Sequence, residues 1–147
     1  MLIEDSKLQS RLVERQLADA ENVRFEVTTA DSLADGLRLF NESSVDAVLL
    51  DLNLPDSSGL DTFRRVREAV GKSPVVILTG TEDLTIGARA VEEGAESYLI
   101  KGQVDAHQLA RSLRFAMQRK RAEHAEWDAP MFHLAQQQFL KAAQIMG

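Results

Sequence analysis

Cysteine is absent from all 147 residues, which removes disulfides, thiolate nucleophiles and sulfur-built zinc sites together. Long apolar runs are missing too, and nothing approaches the roughly 20 residues that a membrane-spanning helix requires. The N-terminus, Met1-Leu2-Ile3-Glu4-Asp5, turns acidic at once and does not read as a signal peptide. Positive charge is in deficit, with 17 Lys and Arg against 23 Asp and Glu and a formal net charge of −6. A general nucleic-acid surface, which must displace counterions from phosphates, is therefore not expected. No nucleotide-binding glycine loop is present, and His107, His124 and His133 have no carboxylate or metal-ligand pattern near them. Kinase activity and histidine chemistry are not supported. A cytoplasmic protein with no membrane partner fits these absences.

What is present describes a globular chain: 44% hydrophobic and 27% charged residues, enough length for one domain and a short appendage. Short apolar runs alternate with amphipathic stretches, the pattern of a parallel sheet covered by helices. Met1-Leu2-Ile3 reads as the end of a first strand, short enough to suggest missing residues upstream. A helix follows over Ser6–Ala20, with Leu8, Leu12, Val13 and Leu17 at helical spacing. The alternating, β-branched Arg24–Thr29 predicts a second strand. Ser32–Asn41 predicts a second helix, with Leu33, Leu37 and Phe40 on one face. Val45–Leu50 is nearly continuous apolar, as in a central strand buried on both faces. After a loop-rich stretch, Leu60, Phe63, Val66 and Val70 mark a third helix, and Val75–Thr79 a fourth strand. Glu82–Glu93 predicts a fourth helix ending at Gly94, and Ser97–Ile100 a fifth strand. Asp105 with Gln108 then forms a capping box for a long last helix.

In a doubly wound sheet, ligands bind beyond the carboxyl ends of the strands. Strand one ends in Glu4-Asp5, strand three in Asp51, strand four in Thr79 and strand five in Lys101. Each has an ordinary reading: an N-cap at Asp5-Ser6, turn chemistry at Asp51, a strand threonine, a solvated lysine. Their joint arrival at one edge favours a site. Three close carboxylates raise one another's pKa, a conflict that a hard cation such as Mg²⁺ resolves through oxygen ligands. Lys101 can pair with Asp51 and later with a phosphoryl oxygen, and Thr79 can donate to another. Positioning and charge neutralisation are what phosphoryl transfer needs, and a carboxylate nucleophile is an accepted route.

Ile3-Glu4-Asp5-Ser6, Val48-Leu49-Leu50-Asp51-Leu52-Asn53-Leu54-Pro55, Gly59-Leu60, Val76-Ile77-Leu78-Thr79-Gly80 and Gly94–Lys101 together resemble the receiver domain of two-component response regulators. The resemblance covers residues 1–121. It implies a flavodoxin-like α/β fold, a five-stranded parallel sheet with helices on both faces. It implies Asp51 as phosphoacceptor, served by a histidine kinase or phosphotransfer protein. Asp5 and Asp51 would bind Mg²⁺ directly, with the Asn53 backbone carbonyl as third ligand and Glu4 acting through water. Thr79 and Tyr98 would form the switch pair, Lys101 would be the site lysine, and Asn53 and Thr81 would tune phosphate lifetime. The face made by the fourth helix, fifth strand and fifth helix would carry the signal outward. One position departs from the family: Gly102 stands where proline usually follows the lysine. A cis Lys-Gly bond would cost roughly 2.5–4 kcal/mol, so a trans bond is expected, in a looser loop.

Residues 122–147 read as a helical linker or the truncated start of an output domain. The helix is expected to extend from Ala106 to Glu126, with a break at Trp127-Asp128-Ala129-Pro130 and a further helix over Met131–Met146. Its stripe of Phe132, Ala135, Phe139, Ala143 and Met146 would seek a partner, such as a second copy of the chain. Met131–Ala143 faintly resembles the first helix of Glu/Leu/Phe/Val dehydrogenases, and Gly147 ends the chain in mid-pattern. Two other readings compete. A haloacid dehalogenase-type hydrolase needs a second aspartate where Asn53 stands and a cap insertion for which there is no room. A receiver-like interaction module working without phosphate would usually have lost an acid, the threonine or the lysine, and all are retained.

Overall fold

In the computed structural model the described residues are 1–128, with side chains described to residue 122. Residues Met1–Met117 form one compact unit, and a second begins at Gln118. The described strands are β1 (Leu2–Ile3), β2 (Thr29–Ala30), β3 (Val48–Asp51), β4 (Asn53–Leu54), β5 (Ser57–Ser58), β6 (Val75–Thr79) and β7 (Ser97–Ile100). The helices are α1 (Lys7–Ala18), α2 (Leu33–Glu42), α3 (Leu60–Val70), α4 (Leu84–Glu92) and α5 (Ala106–Asp128). Five strands build a parallel sheet in the order β2-β1-β3-β6-β7. This is the expected flavodoxin-like, doubly wound arrangement. The small antiparallel pair β4-β5 lies within the predicted loop after Asp51.

Strand alternation sorts the core into two layers. Ile3, Val48, Leu50, Val75 and Ile77 pack with Leu33, Phe63, Val66 and Ala90 of α2, α3 and α4. Their neighbours Leu2, Leu49, Val76 and Leu78 pack with Val13 and Leu17 of α1 and Leu109 and Leu113 of α5. Every β3 and β6 residue is buried, which explains why both strands are apolar up to their last residues, Asp51 and Thr79.

Three expectations are corrected. The second strand is paired only at Thr29 and Ala30, because its neighbour β1 presents just Leu2 and Ile3; Phe25 and Val27 still pack on the core. In α1 only Val13 and Leu17 are buried, whereas Leu8 is 79% exposed and Leu12 42%. Trp127 and Asp128, read as the start of a break, are helical residues of α5, and Ala129 and Pro130 lie outside the described residues. The predicted helix over Met131–Met146 lies outside the described residues.

Caps set the helix starts. Ser6 accepts from Gln9 N–H at 3.3 Å, so Ser6 rather than Asp5 caps α1. Asp105 and Gln108 exchange hydrogen bonds of 2.7 and 3.1 Å, the capping box expected at α5.

Candidate functional site: an acidic cluster at the switch point

From β1 the chain steps outward to β2 on one side and to β3, β6 and β7 on the other. The order therefore reverses between β1 and β3, and a crevice is expected beyond their carboxyl ends. Glu4 and Asp5 follow β1, and Asp51 is the last residue of β3. Ligand oxygens of these three acids lie within 4.8 Å of one another. Glu4 and Asp51 are buried and Asp5 is exposed.

Lys101, just past β7, reaches into the cluster. Its Nζ lies 2.9 Å from Glu4 Oε1 and 3.0 Å from Asp51 Oδ2. Its backbone N–H donates to Thr79 O at 2.7 Å, tying the end of β7 to the end of β6. Burial pushes the Glu4 carboxyl well above the usual range, to about 8, with Asp51 beside it adding to the rise and Lys101 opposing it. Burial works against the Lys101 ammonium, but Glu4 and Asp51 outweigh it and raise its pKa.

At this edge of the sheet, Glu4 Oε2 and Thr79 Oγ1 are buried without a hydrogen-bond partner among the described residues. Stranding such groups costs about 1–3 kcal/mol each, so unpaired ones at a strand edge mark a place for a ligand. Three carboxylates face one ammonium. The excess of negative charge, carried on oxygen and open to solvent through Asp5, suits a hard divalent cation such as Mg²⁺.

The remaining predicted residues flank this cluster. Asn53 N–H donates to Asp51 Oδ1 at 3.1 Å, and its side chain donates to Asp83 Oδ2 at 2.6 Å. Thr81 is exposed at the start of a single 3-10 turn, Thr81–Asp83, that leads into α4. Tyr98 is 37% exposed. A Cβ at Gly87 of α4 would lie 3.2 Å from the Tyr98 ring and 3.3 Å from Thr79 Cγ2, so glycine lets the helix approach both. Among the described residues no peptide bond is cis, so Lys101–Gly102 is trans as expected. Gly102 has φ +82°, which a proline, fixed near −65°, could not adopt.

The sequence matches the family model of the response regulator receiver domain over residues 1–114. The chain belongs to that family. The cell cycle transcriptional regulator CtrA of Caulobacter vibrioides is 35% identical to this receiver domain over 101 residues, covering 69% of this chain and 42% of CtrA. The cell cycle response regulator CtrA of Brucella abortus matches with the same identity and coverage. The chain thus spans less than half the length of these relatives. A response regulator receiver domain protein from Clostridium thermocellum shares 35% identity and a TM-score of 0.72, covering 82% of this chain and 94% of that one. NtrX from Brucella abortus shares the fold alone, with a TM-score of 0.74 at 22% identity over 86% of this chain and 28% of that one.

Two residues that bear on the receiver site escaped the sequence reading. Asp83 holds Asn53 across 30 residues of chain, and Asp56 accepts from the α2 residues Leu33 and Ala34 across 23 and 22. Nothing local marks either one, since each pairing exists only once the sheet has folded.

Proposed function

We propose that this receiver domain is a phosphoacceptor switch in two-component signalling, with Asp51 as the acceptor. The observation that carries the reading is the meeting of Glu4, Asp5, Asp51 and Lys101 at the switch point of the sheet. Asp5, Asp51 and the Asn53 backbone carbonyl would hold Mg²⁺, with Glu4 acting through water. When bound, the ion supplies positive charge against the phosphoryl oxygens.

In the transfer, a carboxylate oxygen of Asp51 attacks phosphorus as the bond to the donor breaks. The donor is a phosphohistidine of a histidine kinase or phosphotransfer protein, whose imidazole departs with the bonding pair. Lys101, already beside Asp51, moves its charge onto a phosphoryl oxygen. Thr79 Oγ1, buried without a partner, donates to another, and its movement frees space for the Tyr98 ring to turn inward. Asn53 and Thr81 flank the path of hydrolytic water and set the lifetime of the acyl phosphate. The domain catalyses only its own loading and unloading.

We also propose that the receiver ends near Arg121 and that residues 122–147 lead toward an output module or a second copy of the chain, in a cytoplasmic setting. The resemblance of that tail to a dehydrogenase helix rests on the sequence alone.

Amide NMR during titration with Mg²⁺ and then beryllofluoride, a phosphoryl mimic, tests the reading. Shifts at Asp51, Thr79 and Lys101 that require Mg²⁺ are expected. A spectrum unmoved by both additions would replace this reading with an interaction module that works without phosphate.

A further inference from the structure

Asn53 is anchored twice. Its N–H donates to Asp51 Oδ1 at 3.1 Å, so the acceptor carboxylate and this stretch of backbone are oriented together. Its side-chain Nδ2 donates to Asp83 Oδ2 at 2.6 Å. A hydrogen bond to a carboxylate is shorter and stronger than one between neutral groups.

Asp83 occupies the N-cap position of α4 but makes no side-chain cap to its own helix. An aspartate there ordinarily accepts from the helix's first free N–H groups. In this chain its carboxylate engages the Asn53 side chain instead.

We propose that Asp83 is a positioning residue for the cation site: by holding the Asn53 side chain, it fixes the backbone that orients Asp51. The proposal rests on the reading of this site as a Mg²⁺ site. It gives Asp83 a local, directional role, distinct from the general attraction that any nearby negative charge exerts on a cation.

Those two roles separate by substitution. Asp83→Asn keeps an acceptor oxygen for Asn53 but removes the charge. Asp83→Ala removes both, and Asn53→Ala removes the donor while keeping the backbone carbonyl. Mg²⁺ affinity of the full chain is measured by isothermal titration calorimetry, with thermal unfolding as a fold check. Positioning predicts that Asn53→Ala and Asp83→Ala each weaken Mg²⁺ binding about three- to tenfold, the range of one lost hydrogen bond. The double variant is then no weaker than either single one, and Asp83→Asn stays within about twofold of the parent. Equal weakening by Asp83→Ala and Asp83→Asn, with Asn53→Ala unchanged, would overturn the proposal in favour of long-range charge. Variants that shift thermal stability but not affinity would overturn it in favour of a structural role. A parent chain that binds no Mg²⁺ would instead overturn the site reading beneath it.

Discussion

Asp56 accepts from two backbone N–H groups in the first turn of α2, Leu33 at 2.8 Å and Ala34 at 3.0 Å. Those donors have no partner within the helix, and the carboxylate also meets the positive end of the helix dipole. The Ala34 and Leu33 bonds hold the Asp56 pKa below its ordinary value of 3.8. A depressed folded-state pKa stabilises the fold above the unfolded value, and that stabilisation fades as pH falls through the folded one. Loss of these two bonds to the helix start, at a carboxylate screened by solvent, should make Asp56→Ala cost at most about 1 kcal/mol in urea denaturation at neutral pH. The gap between variant and parent should narrow in acid; a gap independent of pH would contradict this. At the residue scale, Glu4, Asp5, Asp51, Thr79 and Lys101 were legible because each closes an apolar run at a strand end. Asp56 and Asp83 were not, because only the folded sheet brings them to their partners.

The helix α4 is held firmly at the end away from the acidic cluster. Arg64 of α3 makes paired bonds of 2.8 and 2.9 Å to Glu93. Arg67 donates to the carbonyls of Gly71, Ser73 and Gly94 at 2.6, 2.8 and 2.9 Å. The exposed pair contributes little, whereas the half-buried Arg67 satisfies three carbonyls at once. Arg67→Met should thus destabilise the domain by about 1–3 kcal/mol, measured by urea denaturation, and clearly more than Arg64→Met. Equal costs would show that the carbonyls find water as readily as guanidinium. Element reading from sequence succeeded where packing and local chemistry agree, as in the buried β6 and the capped α5. In α1 it merged two faces. At about 100° per residue, Leu8 and Leu12 lie some 140° around the helix from Val13 and Leu17, and only the second pair meets the sheet. The alternating Arg24–Val27 shows the converse limit, since a strand needs a neighbour as well as a propensity.

For the molecule as a whole, the packed core takes residues of α5 as far as Met117 among the described residues. A chain ended at Arg121 should therefore unfold at the same urea midpoint as the full chain; a large drop would place the boundary further on. The alternation of apolar runs made the doubly wound sheet legible, and the ends of those runs made the site legible. The relatives carry more than twice the matched length. The central claim is that Asp51 takes a phosphoryl group in a site that needs Mg²⁺. Incubation with acetyl phosphate, with and without Mg²⁺, and separation on a phosphate-affinity gel tests it most directly. The account predicts a retarded, base-labile band that requires Mg²⁺ and vanishes in Asp51→Asn. A band that persists in Asp51→Asn, or no band in the parent chain with Mg²⁺ present, would contradict it.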